Sequence, residues 1–138
     1  LDRESGYHLV LLVDDQIEHR QLLRRMIENV DGYEVVEASG GQEAVDLLGH
    51  IHPHLIMLDL MMPEMDGFEV LESVKGNEST RSIPIVVVTA KELTEEDYER
   101  LNHSVEALIQ KGLMKQEELL EDVAAALHKL TRPVPAGE

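Results

Sequence analysis

Five polar side chains stand at or just past the ends of apolar runs, and their types decide what chemistry this chain could do. Asp14 and Asp15 end the run 7–13, Asp59 ends the run 55–58, Thr89 ends the run 84–89, and Lys111 follows the run 105–110. A single carboxylate at such a place can ligate a metal, act as a base or act as a nucleophile, and it can equally be a solvated strand end. Three carboxylates brought together repel one another, so the site should want a divalent cation, and hard oxygen ligands of this kind suit magnesium. A hydroxyl and an ammonium beside them suit a phosphoryl group, whose oxygens need neutralising and positioning.

These groups meet only if the runs that carry them lie side by side. The stretch 55–67 reads Leu-Ile-Met-Leu-Asp-Leu-Met-Met-Pro-Glu-Met-Asp-Gly. Its first half, bounded by Pro53 and Pro63, suits a buried strand of a parallel sheet. Its second half is a loop, with Asp66-Gly67 signalling a turn or a helix start. The runs 7–13, 33–38, 84–89 and 105–110 read as further strands. Apolar residues at Ile17, Leu22, Leu23, Met26, Ile27 and Val30 mark a helix over 16–30, ended by Asp31-Gly32. Ser39-Gly40-Gly41 breaks the next strand. Helices follow over 42–48, with Ala44, Val45, Leu47 and Leu48 on one face, and over 67–74, with Phe68, Val70, Leu71 and Val74 inward. Thr94 caps a fourth, opening Thr-Glu-Glu-Asp where the helix dipole favours acids. The last covers 114–130. The segments 1–6 and 131–138, the latter with Pro133 and Pro135, read as flexible ends or linkers around one domain over 7–130. Five strands alternating with five helices imply right-handed crossovers and a parallel sheet covered on both faces. The carboxyl edge of such a sheet is where ligands bind.

Composition narrows the function classes. A chain of 138 residues is one domain, with 43% hydrophobic and only 3% aromatic residues, so aliphatic side chains must fill the core. Cysteine is absent, which excludes disulfide and thiolate chemistry and fits a reducing compartment such as the cytoplasm. No apolar run is long enough to span a bilayer, so no membrane contact is expected. A formal net charge of −16 argues against direct binding to nucleic acid. His50, His52 and His54 read as a solvated loop rather than a zinc or nickel site, because no further ligand motif accompanies them. Met57, Met61, Met62 and Met65 read as core and loop packing rather than a soft-metal site.

Four motifs in order carry a resemblance: Leu-Val-Asp-Asp (12–15), Leu-Asp-Leu-Met-Met-Pro-Glu-Met-Asp-Gly (58–67), Val-Val-Thr-Ala-Lys (87–91) and Gln-Lys-Gly (110–112). Together the chain resembles the receiver domain of two-component response regulators, over about 7–130. The resemblance implies the doubly wound α/β fold, a five-stranded parallel sheet of order 2-1-3-4-5 with five helices. It implies Asp59 as phosphoacceptor. It implies Asp14, Asp15, Asp59 and the main-chain carbonyl of Met61 as ligands of Mg2+. Thr89 and the Ala90 amide would contact the phosphoryl oxygens, and Lys111 would pair with the phosphoryl group and, before it arrives, with Asp59. The implied partners are a sensor histidine kinase or histidine phosphotransfer protein, and a downstream output domain or protein. The ending 105–112 looks like receivers attached to hybrid sensor kinases.

The chain departs from the family in two places. Gly112 stands where proline often follows the lysine with a cis bond, and a cis bond before glycine would cost roughly 3 kcal/mol, so a trans or remodelled loop is expected. Leu108 stands where the family's switch aromatic lies, so no ring rotation can report phosphorylation. Two other function classes stay open on the residues themselves. One is an aspartate-nucleophile phosphatase or hydrolase, which usually carries a second Asp two residues on, where this chain has Met61. The other is a docking platform that is never phosphorylated.

Overall fold

Short runs of branched aliphatic residues, closed by polar ends and separated by amphipathic segments, fold here as alternating strands and helices. The computed structural model describes residues 8–62, 65–90, 92–102, 104–110 and 115–130. Five parallel strands, β1 (His8–Val13), β2 (Tyr33–Ala38), β3 (Leu55–Leu58), β4 (Ile85–Thr89) and β5 (Ala107–Gln110), form one sheet in the order β2-β1-β3-β4-β5. The helices are α1 (Ile17–Glu28), α2 (Gly41–Leu47), α3 (Gly67–Lys75), α4 (Glu95–Asn102) and α5 (Gln116–Leu130). The doubly wound order expected from the sequence is the order observed.

Strand side chains alternate between faces, so the sheet divides the core in two. Leu11, Val13, Ile56, Leu58, Ile85 and Val87 pack with Ala44 of α2, Phe68 and Leu71 of α3 and Leu101 of α4. Val10, Leu12, Leu55, Met57, Val86 and Val88 pack with Leu23, Met26 and Ile27 of α1 and with Leu119, Val123 and Leu127 of α5. β3 and β4 are buried along their whole lengths, as near-continuous apolar strands covered on both faces must be.

Two of the helix starts carry reciprocal side-chain caps. Asp97 N donates to Thr94 Oγ1 (3.1 Å) and Thr94 N donates to Asp97 Oδ2 (3.0 Å). Asp66 and Glu69 make the same reciprocal pair at the start of α3. Gly32 adopts φ 93°, a left-handed turn open to glycine at no steric cost, between α1 and β2.

Three expectations shift. Ile17, one of the apolar residues that mark the helix by spacing, is 55% exposed, because α1 seats on the sheet through Leu23, Met26 and Ile27. The strand expected over 105–110 begins at Ala107. Val105 still belongs to the turn that closes α4, its amide donating to Leu101 O (3.2 Å), and the Glu106 carboxylate accepts from Ile85 N (3.0 Å). Val45 stands outside the core cluster that takes Ala44, Leu47 and Leu48. The flanks 1–6 and 131–138, together with Pro63, Lys91, Lys111, Gly112 and Met114, lie outside the described residues.

At the amino-terminal edge of the sheet, His8 stacks on Tyr33 (centroids 5.3 Å apart) and meets His54 edge-on (5.0 Å). His54 Nδ1 accepts from Leu9 N at 2.9 Å, so this histidine closes a loop against β1. Tyr33 reaches over α5 and donates its hydroxyl to Leu127 O at 3.0 Å.

Candidate functional site

At the opposite edge, where the strands end, the sheet order places β1 beside β3 and β3 beside β4. Asp14 and Asp15 follow β1, Asp59 follows β3, and Thr89 is the last residue of β4. Each polar group therefore emerges from a fully apolar strand whose burial fixes its position. Asp14 is 1% exposed and Asp59 4% exposed, and Thr89 is buried.

Two groups among the described residues donate hydrogen bonds to Asp59 Oδ1. One comes from the Thr89 hydroxyl at 2.8 Å, across from β4, and the other from Met61 N at 3.0 Å, two residues along its own loop. The loop is held in turn by Gly67, whose amide donates to Leu60 O at 3.2 Å. A Cβ at Gly67 would lie 2.6 Å from Asp59 O and 2.6 Å from Leu60 Cα, so α3 can begin this close to the acid only without a side chain.

Asp14 Oδ1 accepts from Gln16 N at 2.9 Å, which turns the chain from β1 into α1. Arg20 ties that turn down from the first turns of the helix. Its Nη1 donates to Asp14 O (2.8 Å) and its Nε to Glu37 Oε1 (2.8 Å). Arg24 also donates to Glu37. Those hydrogen bonds, from Arg20 first and Arg24 second, hold the Glu37 carboxyl below the usual carboxylate range. Arg20 and Glu37 thus brace the acidic loop, a role the sequence did not announce.

A divalent cation fits this donor set. Asp15 Oδ1 is buried and has no hydrogen-bond partner among the described residues, and a buried carboxylate oxygen left without a donor is costly. Asp14, His19 and Asp59 each present a ligand atom within 4.8 Å of the others'. His19 was not among the residues singled out from the sequence. Its signal was position, since a helix opening directly behind an Asp pair carries its first-turn side chains beside that pair. Met61 projects its side chain to solvent, 51% exposed, while Met57 and Met62 are buried and Met65 packs on the core. Ala90 follows Thr89 and is exposed. The placement of Lys111, expected at the same edge beyond β5, falls outside the described residues.

Residues 10–124 match the response regulator receiver domain family. The polar-differentiation response regulator DivK of Brucella ovis is 36% identical over 81 residues, which cover 59% of this chain and 65% of DivK. The match therefore spans a little under two thirds of that relative's length. Among solved structures, the Mn2+-bound form of the response regulator Rcp1 superposes with a TM-score of 0.81 at 26% identity, covering 93% of this chain and 97% of that one. The receiver domain of a signal transduction histidine kinase from Syntrophus aciditrophicus superposes with a TM-score of 0.74 at 28% identity, covering 95% and 98%. Sheet order, acidic edge and family match agree. This chain belongs to the response regulator receiver domain family, the modules of two-component signalling that are phosphorylated on an aspartate and work between histidine kinases and output domains.

Proposed function

We propose that Asp59 is the phosphoacceptor and that its donor is a phosphohistidine on a sensor histidine kinase or a histidine phosphotransfer protein. A carboxylate oxygen of Asp59 attacks phosphorus. The new O–P bond forms as the N–P bond of the donor breaks, and that bond's electron pair stays on the donor imidazole. The observation that carries this reading is the 2.8 Å hydrogen bond from the buried Thr89 hydroxyl to the carboxylate that ends β3. A donor already aimed at the acid needs little reorganisation to serve an oxygen of the incoming phosphoryl group. The Ala90 amide, next along the chain, and the ammonium of Lys111 would serve the other oxygens.

Asp14, Asp15, Asp59 and the main-chain carbonyl of Met61 would hold Mg2+, which when bound neutralises phosphoryl charge. The unpartnered oxygen of Asp15 supports this, as does the metal carried by the Rcp1 relative. The chain would catalyse its own phosphorylation and the slow loss of the phosphate. Downstream, its changed surface would act on an output domain or protein, without direct contact to nucleic acid or membrane. The likeness to the Syntrophus kinase receiver supports a place within a hybrid histidine kinase in the cytoplasm.

Incubation with acetyl phosphate and magnesium tests the assignment. The native chain should gain one acid-stable, base-labile acyl phosphate, and Asp59→Asn should gain none. Undiminished labelling of Asp59→Asn at the native rate would sink the assignment, and continuous turnover of acetyl phosphate without accumulation would favour a hydrolase.

A further inference from the structure

His19 Nδ1 lies 3.9 Å from Asp14 Oδ2. That separation is too long for a direct hydrogen bond between the two. It lies within the span that two ligands of one ion can bridge. Ligands about 2.1 Å from a six-coordinate cation stand about 3 Å apart when adjacent and about 4.2 Å apart when opposite. Asp59 joins the same group, with all three ligand atoms within 4.8 Å of one another. The Asp14 and Asp59 side chains are buried, and His19 sits on the first turn of α1, which Arg20 anchors to Asp14 O and Glu37. The imidazole is therefore held near the acids by the fold, with its side chain 38% exposed.

An all-carboxylate site favours hard ions and separates magnesium from manganese or cobalt only weakly. An imidazole nitrogen changes that, because nitrogen ligands follow the rising affinity of the first-row transition series and magnesium takes oxygen. We infer that His19 makes this a mixed nitrogen–oxygen site that takes a first-row transition ion in preference to magnesium, with Asp14 and Asp59 supplying the oxygen ligands. The inference rests on those carboxylates being the metal site of the receiver.

The test is calorimetric titration of the whole chain with MgCl2 and, separately, with CoCl2, whose visible absorption reports ligand type. Native protein, His19→Ala, His19→Gln and Asp59→Asn are compared, with metal-free thermal midpoints as the check on folding. His19→Ala should bind Co2+ at least about tenfold more weakly, the scale set by even outer-sphere partners of a metal, and Mg2+ within about twofold of native. His19→Gln should restore no cobalt affinity, and the Co2+ absorption should change in both His19 variants. Equal weakening of both ions, or a native Co2+ affinity and spectrum in His19→Ala, would overturn the inference. A cobalt signal that survives Asp59→Asn would also overturn it, by showing that the ion does not depend on that carboxylate. Failure of the underlying site reads differently: neither ion would then bind in a way that depends on Asp59.

Discussion

Gly67 stands where a single methyl group would come within 2.6 Å of the carbonyl oxygen of Asp59. Helix α3 and the acid that ends β3 are thus in backbone-to-backbone contact, and neither side has a flexible tip that could yield. Gly67→Ala should cost about 1–3 kcal/mol of stability, the usual scale of overpacking, and should displace the Asp59 loop. Chemical denaturation and acetyl phosphate labelling measure the two effects. A variant with native stability and a native labelling rate would show that the loop relaxes freely.

Asp15, next to Asp14 in the chain, carries a buried oxygen with no hydrogen-bond partner among the described residues. Removing it takes away like charge and also takes away a ligand. Asp15→Ala should therefore be more stable than the native chain in chelator and should gain little from millimolar magnesium, which should raise the native thermal midpoint. Equal magnesium responses in the two proteins would refute the role of Asp15.

Met61 donates its amide to Asp59, and its side chain is half exposed. A thioether can cover the in-line approach to phosphorus but cannot orient a water molecule. Once phosphorylated, Met61→Asn should lose its phosphate faster than the native chain, with both in excess magnesium. An equal or slower decay would show that Met61 does not shield the phosphorus.

His8 has its pKa lowered below 6.5 by burial first and by His54 second. The unfolded chain then takes up a proton here before the folded chain does. The contribution of neutral His8 is present in full above pH 6.5 and is lost as pH falls from there through the lower folded value. Urea midpoints at about pH 7.5 and about pH 5.5 should differ less in His8→Gln than in the native chain. An unchanged difference would place the acid sensitivity elsewhere.

Much of this was legible from sequence because the sheet speaks in a simple code. Apolar runs that stop at Asp14, Asp59 and Thr89 give both the strands and the edge where they end. Thr94 and the Asp66-Gly67 pair mark helix starts through chemistry local to a few residues. Contacts between polar groups on different elements carry no such periodic signature. Arg20 reaches Glu37 and the Asp14 carbonyl only after α1 has docked beside β2, and His19 arrives at the acids by the same docking. His54 reads as one of three loop histidines until β1 supplies the Leu9 amide it accepts from. Ile17 fits a helical stripe by spacing, but where along that stripe the sheet begins is a tertiary matter.

The ladder between β4 and β5 sets Thr89 opposite Gln110, the residue before Lys111. In genetic terms this makes length a guarded property of the connector before β5, alongside the Glu106 carboxylate that accepts from Ile85 N. A missense change at 104–106 alters one side chain. An in-frame loss of one codon there pulls β5 along by one place, and because strand side chains alternate, every residue of Ala107–Gln110 then faces the wrong layer.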